Sequence, residues 1–480
     1  MKKQRQKAQP EITVVVLLVV MTTMSYLLAG LAPRSGTASA AISPVVRRVN
    51  IPYLGNGPPV EFFEPAIFWF GQVTPTINNA DVRLWYYDEY MKITVHIIDR
   101  RLWFDESPSL ATLEEWDAVT LLMNLDGITG DSPTSNSYRL VAQLWGGSDR
   151  QAVYQGNGTA WLEAPVSFTA EPTWRGDYPN NDNNDKGWQL TYIIPFSSLG
   201  LSERPANDTE WGFAVVLHDR DEADGDPVIA DQAWPELADA DVPATWGVLN
   251  FGIPGYNQPV AVPQGTTIIR QGLNGAEVID GHVGGHGNCG DGLDHWSEWG
   301  EANYVGYTQI NIQNQWDISD YPCFSKYFVS FPLDKVPPGK TILAASLSMT
   351  MFSNAGGGEW GLPPDSYIQV LAVAEAWDEQ TLNWNNAPRA VENISGTWVK
   401  PVQSSEQRHY SWDVSRAAAG AYQEGQPLRL ALYSADGEQH SGKYFWSSEA
   451  RGPSLQVIWG EPCNTVGVEC HFTYLPAISR

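Results

Sequence analysis

The sequence predicts an all-β chain built as two consecutive antiparallel β-sandwich domains after an export signal. Three observations carry this. Short runs alternate strictly between apolar and polar residues, the period of a strand with one buried face. Gly (43) and Pro (33) are frequent enough to end such runs with turns throughout the 480 residues. One stretch alone reads as helix, the alanine-rich piece around Val414 to Tyr422, which stops at Gly425.

The elements follow in order. Lys2, Lys3, Arg5 and Lys7 precede an apolar run from Thr13 to Ala32, and Ala38-Ser39-Ala40 fits a small-residue cleavage site. Residues 1–40 therefore read as a signal peptide. The run is also long enough to be an uncleaved anchor, although Thr22, Thr23 and Ser25 weaken it as a span. Residues 41–61 are rich in Pro and Val without periodicity, a linker. From 62 to 252 strands follow one another. Ile93, Val95 and Ile97 share one face against Thr94 and His96 on the other. Val119, Leu121, Met123 and Leu125 line up in the same way, as do Phe213, Val215 and Leu217. The pattern lapses over 253–264, where three prolines mark a second linker between separable domains. It resumes over 265–460, most clearly at Tyr327–Phe331, Ile342–Phe352, Tyr367–Val373 and Leu428–Ser434. Residues 461–480 form a tail.

Charge and cysteines bound the function. The net charge is −26, and removal of residues 1–40, which hold five Lys/Arg and one Glu, leaves about −30. Such a surface repels nucleic acid and anionic lipid, tolerates neutral sugars and attracts calcium. It repels uronic-acid polymers unless Arg, Lys or a metal intervenes. No run after the first reaches spanning length, so no membrane span is expected in the mature chain. Four cysteines suit an exported protein. Of three connectivities, Cys289–Cys323 with Cys463–Cys470 is preferred, the second closing a short tail loop. His282, His286, Cys289 and His295 superficially suggest a transition-metal site, but a disulfide at Cys289 removes the thiolate. Asp219, Asp221, Asp224 and Asp226 offer hard oxygens on one loop and are the expected ligands of a structural calcium. The same run also reads as a solvated acidic turn that needs no ion. Twenty-one tryptophans exceed what the cores need and leave some for flat ligand platforms.

Two resemblances refine this picture. Arg83-Leu84-Trp85-Tyr86-Tyr87-Asp88-Glu89-Tyr90, Trp116-Asp117-Ala118-Val119, Tyr138-Arg139-Leu140, Ile194-Pro195-Phe196-Ser197-Ser198-Leu199-Gly200-Leu201, Trp211-Gly212-Phe213 and Thr245-Trp246-Gly247 occur in the order of the family 9 carbohydrate-binding modules and their DOMON-like relatives. Residues 62–252 resemble that family. The resemblance implies a sugar held between two tryptophans, with an arginine and a glutamate on its hydroxyls. Here it implies Trp116 and Arg139, with Trp234 completing the cleft from a shifted loop. The glutamate position reads Thr120, a departure from the family. The alternative is that Trp116 and Trp234 are loop or core-edge aromatics in a module that no longer binds sugar. Some DOMON-like relatives bind haem, but Met91 and His96 fall on opposite faces of one strand, so no haem is expected.

Tyr327-Phe328-Val329-Ser330-Phe331, Pro337-Pro338-Gly339, Ala376-Trp377-Asp378-Glu379, Asn383-Trp384-Asn385-Asn386-Ala387-Pro388, Trp412-Asp413-Val414 and Tyr444-Phe445-Trp446-Ser447-Ser448-Glu449 resemble the DNRLRE-type secreted β-sandwich module. In it Trp377 and Trp384 are expected to pack in the sandwich. Neither resemblance implies catalysis, and the chain has no Gly-x-Ser-x-Gly, His-Glu-x-x-His or phosphate-cradling glycine loop. The expectation is a monomeric, non-enzymatic protein, secreted or at the cell surface. It binds polysaccharide or oligosaccharide and serves glycan capture or carbohydrate catabolism. The alternative is a structural or adhesive surface protein whose modules are spacers.

Overall fold

The computed structural model describes residues 45–55, 64–285, 289, 292–314, 318, 321–356, 363–403, 405–435, 441–450 and 452–463. The expected export signal (1–40) and the tail beyond Cys463 lie outside the described residues. No helix among the described residues is long and apolar enough to cross a membrane.

Strands β1 to β13 are Arg48–Ile51, Ala66–Gly71, Asn79–Tyr86, Tyr90–Ile98, Ala118–Asn124, Ser137–Gln143, Gln151–Gly156, Trp161–Glu163, Thr169–Arg175, Gly187–Pro195, Glu210–His218, Gln232–Trp234 and Gly247–Phe251. They form an eight-stranded sheet, β1-β13-β11-β5-β6-β7-β8 with β12 beside β11, and a five-stranded sheet, β2-β3-β4-β10-β9. The alternation places Leu121, Leu140 and Phe213 of the first sheet against Val82, Val95 and Leu190 of the second in one core.

Strands β14 to β24 are Ala261–Ile269, Ile279–Gly284, Gln309–Ile312, Ser325–Phe331, Thr341–Asn354, Ser366–Val373, Ala390–Val399, Arg408–Asp413, Leu428–Ser434, Lys443–Trp446 and Ser454–Pro462. They form a six-stranded sheet, β14-β24-β18-β23-β16 with β21 beside β18, and a five-stranded sheet, β15-β17-β22-β19-β20. The helix α1, Ser415–Gln423, buries Ala418 and Ala419. Leu347, Met349 and Phe445 meet Val329, Val370 and Leu432 in the second core.

Several boundaries differ from the sequence reading. Arg48–Ile51, expected in the 41–61 linker, is β1 and pairs parallel with β13. The stretch expected as the second linker, 253–264, overlaps β14 from Ala261 on. Pro263 is tolerated because β14 is a sheet edge and its register slips between Pro263 and Gly265. β24 runs on to Pro462, two residues into the expected tail.

The sandwiches are also not separate bodies. The two five-stranded sheets bury their outer faces on each other. Ile67, Trp69 and Ile98 from one join Val283, Phe328, Leu371 and Tyr433 from the other in a third apolar cluster. That is why β2 reads as a continuous apolar run: Phe68 and Phe70 face the first core, while Ile67 and Trp69 face the neighbouring sandwich. Trp384, expected inside the second sandwich, packs in this shared layer instead. Its neighbour Asn385 accepts from the Val73 amide (2.7 Å) and donates to the Val73 carbonyl (3.1 Å). At the sheet edges Asn50 and Asn393 exchange bonds of 2.7, 2.8 and 2.9 Å.

A cation sits in the middle of the layer. Lys326 is 1% exposed, and its ammonium lies 3.6 Å from the Trp384 ring centre, 4.5 Å from Trp69 and 4.9 Å from Tyr433. Tyr433 donates to Asp81 (2.7 Å), and Asn314 donates to the same oxygen (3.3 Å). Burial pushes the Lys326 ammonium down to about 7, with Asp81 pulling the other way. A cation held below its unfolded value makes folding less favourable wherever both states are protonated, below about pH 7. That penalty is relieved as pH rises from about 7 toward the unfolded value of 10.5. Global stability measured by urea unfolding is therefore expected to rise over this window. Lys326→Met is expected to flatten the rise. A slope unchanged in the variant contradicts the assignment.

Candidate functional site

The outward face of the eight-stranded sheet carries the residues that chemistry can use. Strict alternation sets this face. Where Leu121, Leu140 and Leu217 point into the core, Thr120, Arg139 and His218 point out. Arg139 on β6 stands opposite Leu122 on β5 and Tyr154 on β7, and Thr120 stands opposite Val141 and Val216.

A short 3-10 turn, Leu113–Glu115, precedes β5 and brings Glu114 over this face. Arg139 forks onto Glu114: Nε donates to Oε1 at 3.1 Å, and Nη2 donates to Oε2 in a very short contact. The Thr120 hydroxyl donates to Glu114 Oε1 at 2.5 Å and lies 2.9 Å from His218 Nε2. His218 Nδ1 lies 2.9 Å from an Asp231 oxygen. The Tyr154 ring flanks the Arg139 guanidinium at 5.8 Å. Next to this network Leu122, Ala214, Val216 and Trp246 form an apolar floor, with half-buried Trp161 packed against it. The Trp161 indole N–H is fixed on Asp241 at 2.9 Å. An oriented indole beside a guanidinium–carboxylate fork can stack on a sugar ring and read adjacent hydroxyls.

The three expected sugar residues do not assemble. Arg139 is on this face. Trp116 is half-buried beneath the Arg220 guanidinium (3.8 Å from ring centre to Cζ). Trp234 is 1% exposed inside the first core, stacked on Phe68 at 4.1 Å. It cannot be a platform, because its register partner on β11, Val215, points inward. Thr120, where the resemblance would place a glutamate, donates to Glu114, whose carboxylate comes from six residues upstream. Glu114, Tyr154, Trp161, His218 and Asp231 escaped the sequence reading. Alternation in β5 and β11 was the signal that could have placed His218 beside Thr120.

The expected calcium set is also rearranged. Asp219 and Asp221 group with Asp99, their nearest oxygens all within 4.8 Å of one another. Buried Asp117 adjoins them. Burial first, then the neighbouring carboxylates, push Asp99, Asp117 and Asp219 well above the usual carboxylate range, and burial raises Asp221 to about 6. Asp99 accepts from the Arg101 amide and the Trp188 indole, and Asp117 from the Trp103 and Arg220 amides. Both Asp219 oxygens are buried, near the Asn78 side-chain amide and the Arg220 backbone amide. Asp224 and Asp226 are exposed and stay out of the group. Their turn is wrapped on Arg220, which donates to the Glu222 and Ala223 carbonyls, and Asp224 accepts from the Asp226 amide.

Cys289 is bonded to Cys323 and Cys463 is also disulfide-bonded. The expected partner of Cys463, Cys470, lies outside the described residues, as does His286. His282 stacks on Tyr304 at 4.6 Å, and the His295 carbonyl accepts from Tyr321.

Residues 297–458 match the family model described as carbohydrate-binding module family 96, so most of the second sandwich is similar to such a module. No curated protein matches the chain. Similar solved structures include a carbohydrate-binding module family 9 from Caldicellulosiruptor kristjanssonii in complex with cellotriose (15% identity, 46% of this chain and 100% of that one, TM-score 0.28). The same module in complex with glucose aligns at 16% identity over 44% of this chain and 100% of that one, TM-score 0.28. A putative carbohydrate-binding protein from Bacteroides uniformis aligns at 14% identity over 43% of this chain and 99% of that one, TM-score 0.33. These superpositions are loose, and nothing about the ligand of this chain rests on them.

Trp234→Ala is expected to act as a core cavity. Denaturant titration should show a loss of about 3–5 kcal/mol, the range for a buried aromatic truncated to alanine. A loss under about 1 kcal/mol would contradict the core placement.

Proposed function

We propose that the protein is an exported, non-catalytic glycan-binding protein, accessory to polysaccharide capture or breakdown at the cell surface. The match of residues 297–458 to a carbohydrate-binding module carries this reading. The first sandwich contributes a face of its own, in line with the family 9 resemblance of residues 62–252. On it, Arg139 and Glu114 would read vicinal hydroxyls and Trp161 would stack on the ring. The cysteines, all oxidised among the described residues, support an oxidising compartment. The test is a glycan array on the full chain, followed by titration of any hit. Trp161→Ala is expected to weaken that binding about tenfold, roughly 1.4 kcal/mol. Arg139→Lys is expected to weaken it as well, because a point charge cannot replace a bidentate fork. An empty array favours a spacer or adhesive role.

We also propose a structural calcium in the first sandwich, held by Asp99, Asp219 and Asp221 rather than by the exposed Asp224 and Asp226. Hard carboxylate oxygens suit that ion, and the close grouping of the Asp99, Asp219 and Asp221 oxygens supports it. Added calcium should raise the melting temperature by several degrees, and chelator should reverse the shift. Asp219→Asn should abolish the response, and Asp224→Asn should preserve it. A response indifferent to Asp219 would discard the site.

A further inference from the structure

A ladder of aromatic rings stands at the loop end of the first sandwich, outside the sheet face described above. Phe104 and Trp145 are stacked at 4.4 Å and 15°. Trp145 and Trp174 follow at 4.8 Å. Tyr178 meets Trp145 edge-on at 5.5 Å and is 61% exposed. Phe104 is buried, while Trp145 and Trp174 are half-buried, so the ladder rises from the core edge to the surface.

The loop that carries Tyr178 is held without help from its ring. The Asn180 amide N–H donates to the Leu102 carbonyl (2.7 Å), and its side chain accepts from the Phe104 amide (2.8 Å) and donates to the Phe104 carbonyl (3.1 Å). Asn180 adopts a left-handed φ of 66°, a conformation that asparagine tolerates. Asp185 accepts from the Asp177 amide at 2.6 Å and Asn183 donates to the Asp177 side chain at 3.0 Å. An aromatic ring displayed on a loop already fixed in place costs little ordering entropy when it binds.

We propose that this ladder is a second glycan platform, with Tyr178 as its exposed stacking surface. The rim chemistry selects the ligand. Asn181, Asn183 and Asn184 are each already bonded within the protein, Asn181 to the Tyr178 carbonyl, Asn183 to Asp177 and Asn184 from Arg100, and the remaining N–H groups and lone pairs of these amides suit the paired hydroxyls of a pyranose. Asp177, Asp182 and Glu106 add carboxylates in a chain of net charge −26, so a neutral polysaccharide fits and a polyanion does not. The site is separate from the Arg139 face and does not depend on it.

The experiment is affinity electrophoresis of the full chain in gels containing soluble β-glucan, xylan or galactomannan. Tyr178→Ala, Tyr178→Phe and Arg139→Ala are run alone, with Tyr178→Ala also combined with Arg139→Ala. Tyr178 is exposed, so Tyr178→Ala should fold, and thermal melting verifies this. At least a fivefold loss of affinity for one of these polymers is expected in Tyr178→Ala, in both Arg139 backgrounds. Tyr178→Phe should keep the ring and the affinity. Loss in Arg139→Ala with none in Tyr178→Ala overturns the platform while keeping the sheet-face reading. Loss in Tyr178→Ala with none in Arg139→Ala supports the platform and removes the sheet face. No retardation by any of the three polymers overturns it.

Discussion

The buried Lys326 at the junction of the two sandwiches fixes what the rest of the molecule can be. A charge removed from water is costly unless its surroundings replace the solvent. Three aromatic rings and the Asp81 carboxylate do so only in part, since burial still holds the ammonium down to about 7, and they come from both sandwiches. Trp69 and Asp81 belong to the first, Trp384 and Tyr433 to the second. Neither half can satisfy this cation alone. Stacking the two five-stranded sheets therefore leaves the outer faces of the eight- and six-stranded sheets, with the loop ends, as the surfaces open to a ligand. The Arg139 face lies on one of these surfaces, and the Tyr178 ladder lies at a loop end.

Most of the fold was legible in the residues. Alternation identified β4, β5 and β11 and the faces of each, because a one-sided core imposes period two on an antiparallel strand. Alternation also misled where a sheet is covered on both sides. Thr94 and His96 read as the polar face of a half-buried strand, yet both are buried, as is Asp81 on the neighbouring β3. A polar residue on the outward face looks the same in sequence whether it meets water or a neighbouring sheet with compensating partners. The continuous apolar β2, Ala66-Ile67-Phe68-Trp69-Phe70, was the local sign of double burial.

The candidate sites were legible by residue type and blurred by position. Arg139 lies on the outward face of β6, because strand register is propagated by the core. The aromatic and acidic partners come from turns, whose lengths vary without disturbing that register. So Trp234 fell into the core, Trp116 under Arg220, and Glu114 arrived from a turn to bond Arg139 in place of Thr120. The acidic loop after β11 shows the same effect on a smaller scale. Asp219 and Asp221 follow directly from the end of β11, whereas Asp224 and Asp226 sit in a turn organised by Arg220.

The fork between Arg139 and Glu114 also narrows what the sheet face can accept. Glu114 already neutralises the guanidinium, while Thr120 and His218 hold the carboxylate side. An anionic ligand would have to displace Glu114 from Arg139 against the field of a chain carrying −26. A hydroxyl meets no such barrier. It can accept from the guanidinium and donate to the carboxylate together, leaving the pair intact, and a ring with adjacent hydroxyls can use both ends of the fork. The pairing that makes the face inert toward charge is therefore what suits it to a neutral sugar, and the half-buried indole of Trp161 offers the apolar side of such a ring its surface.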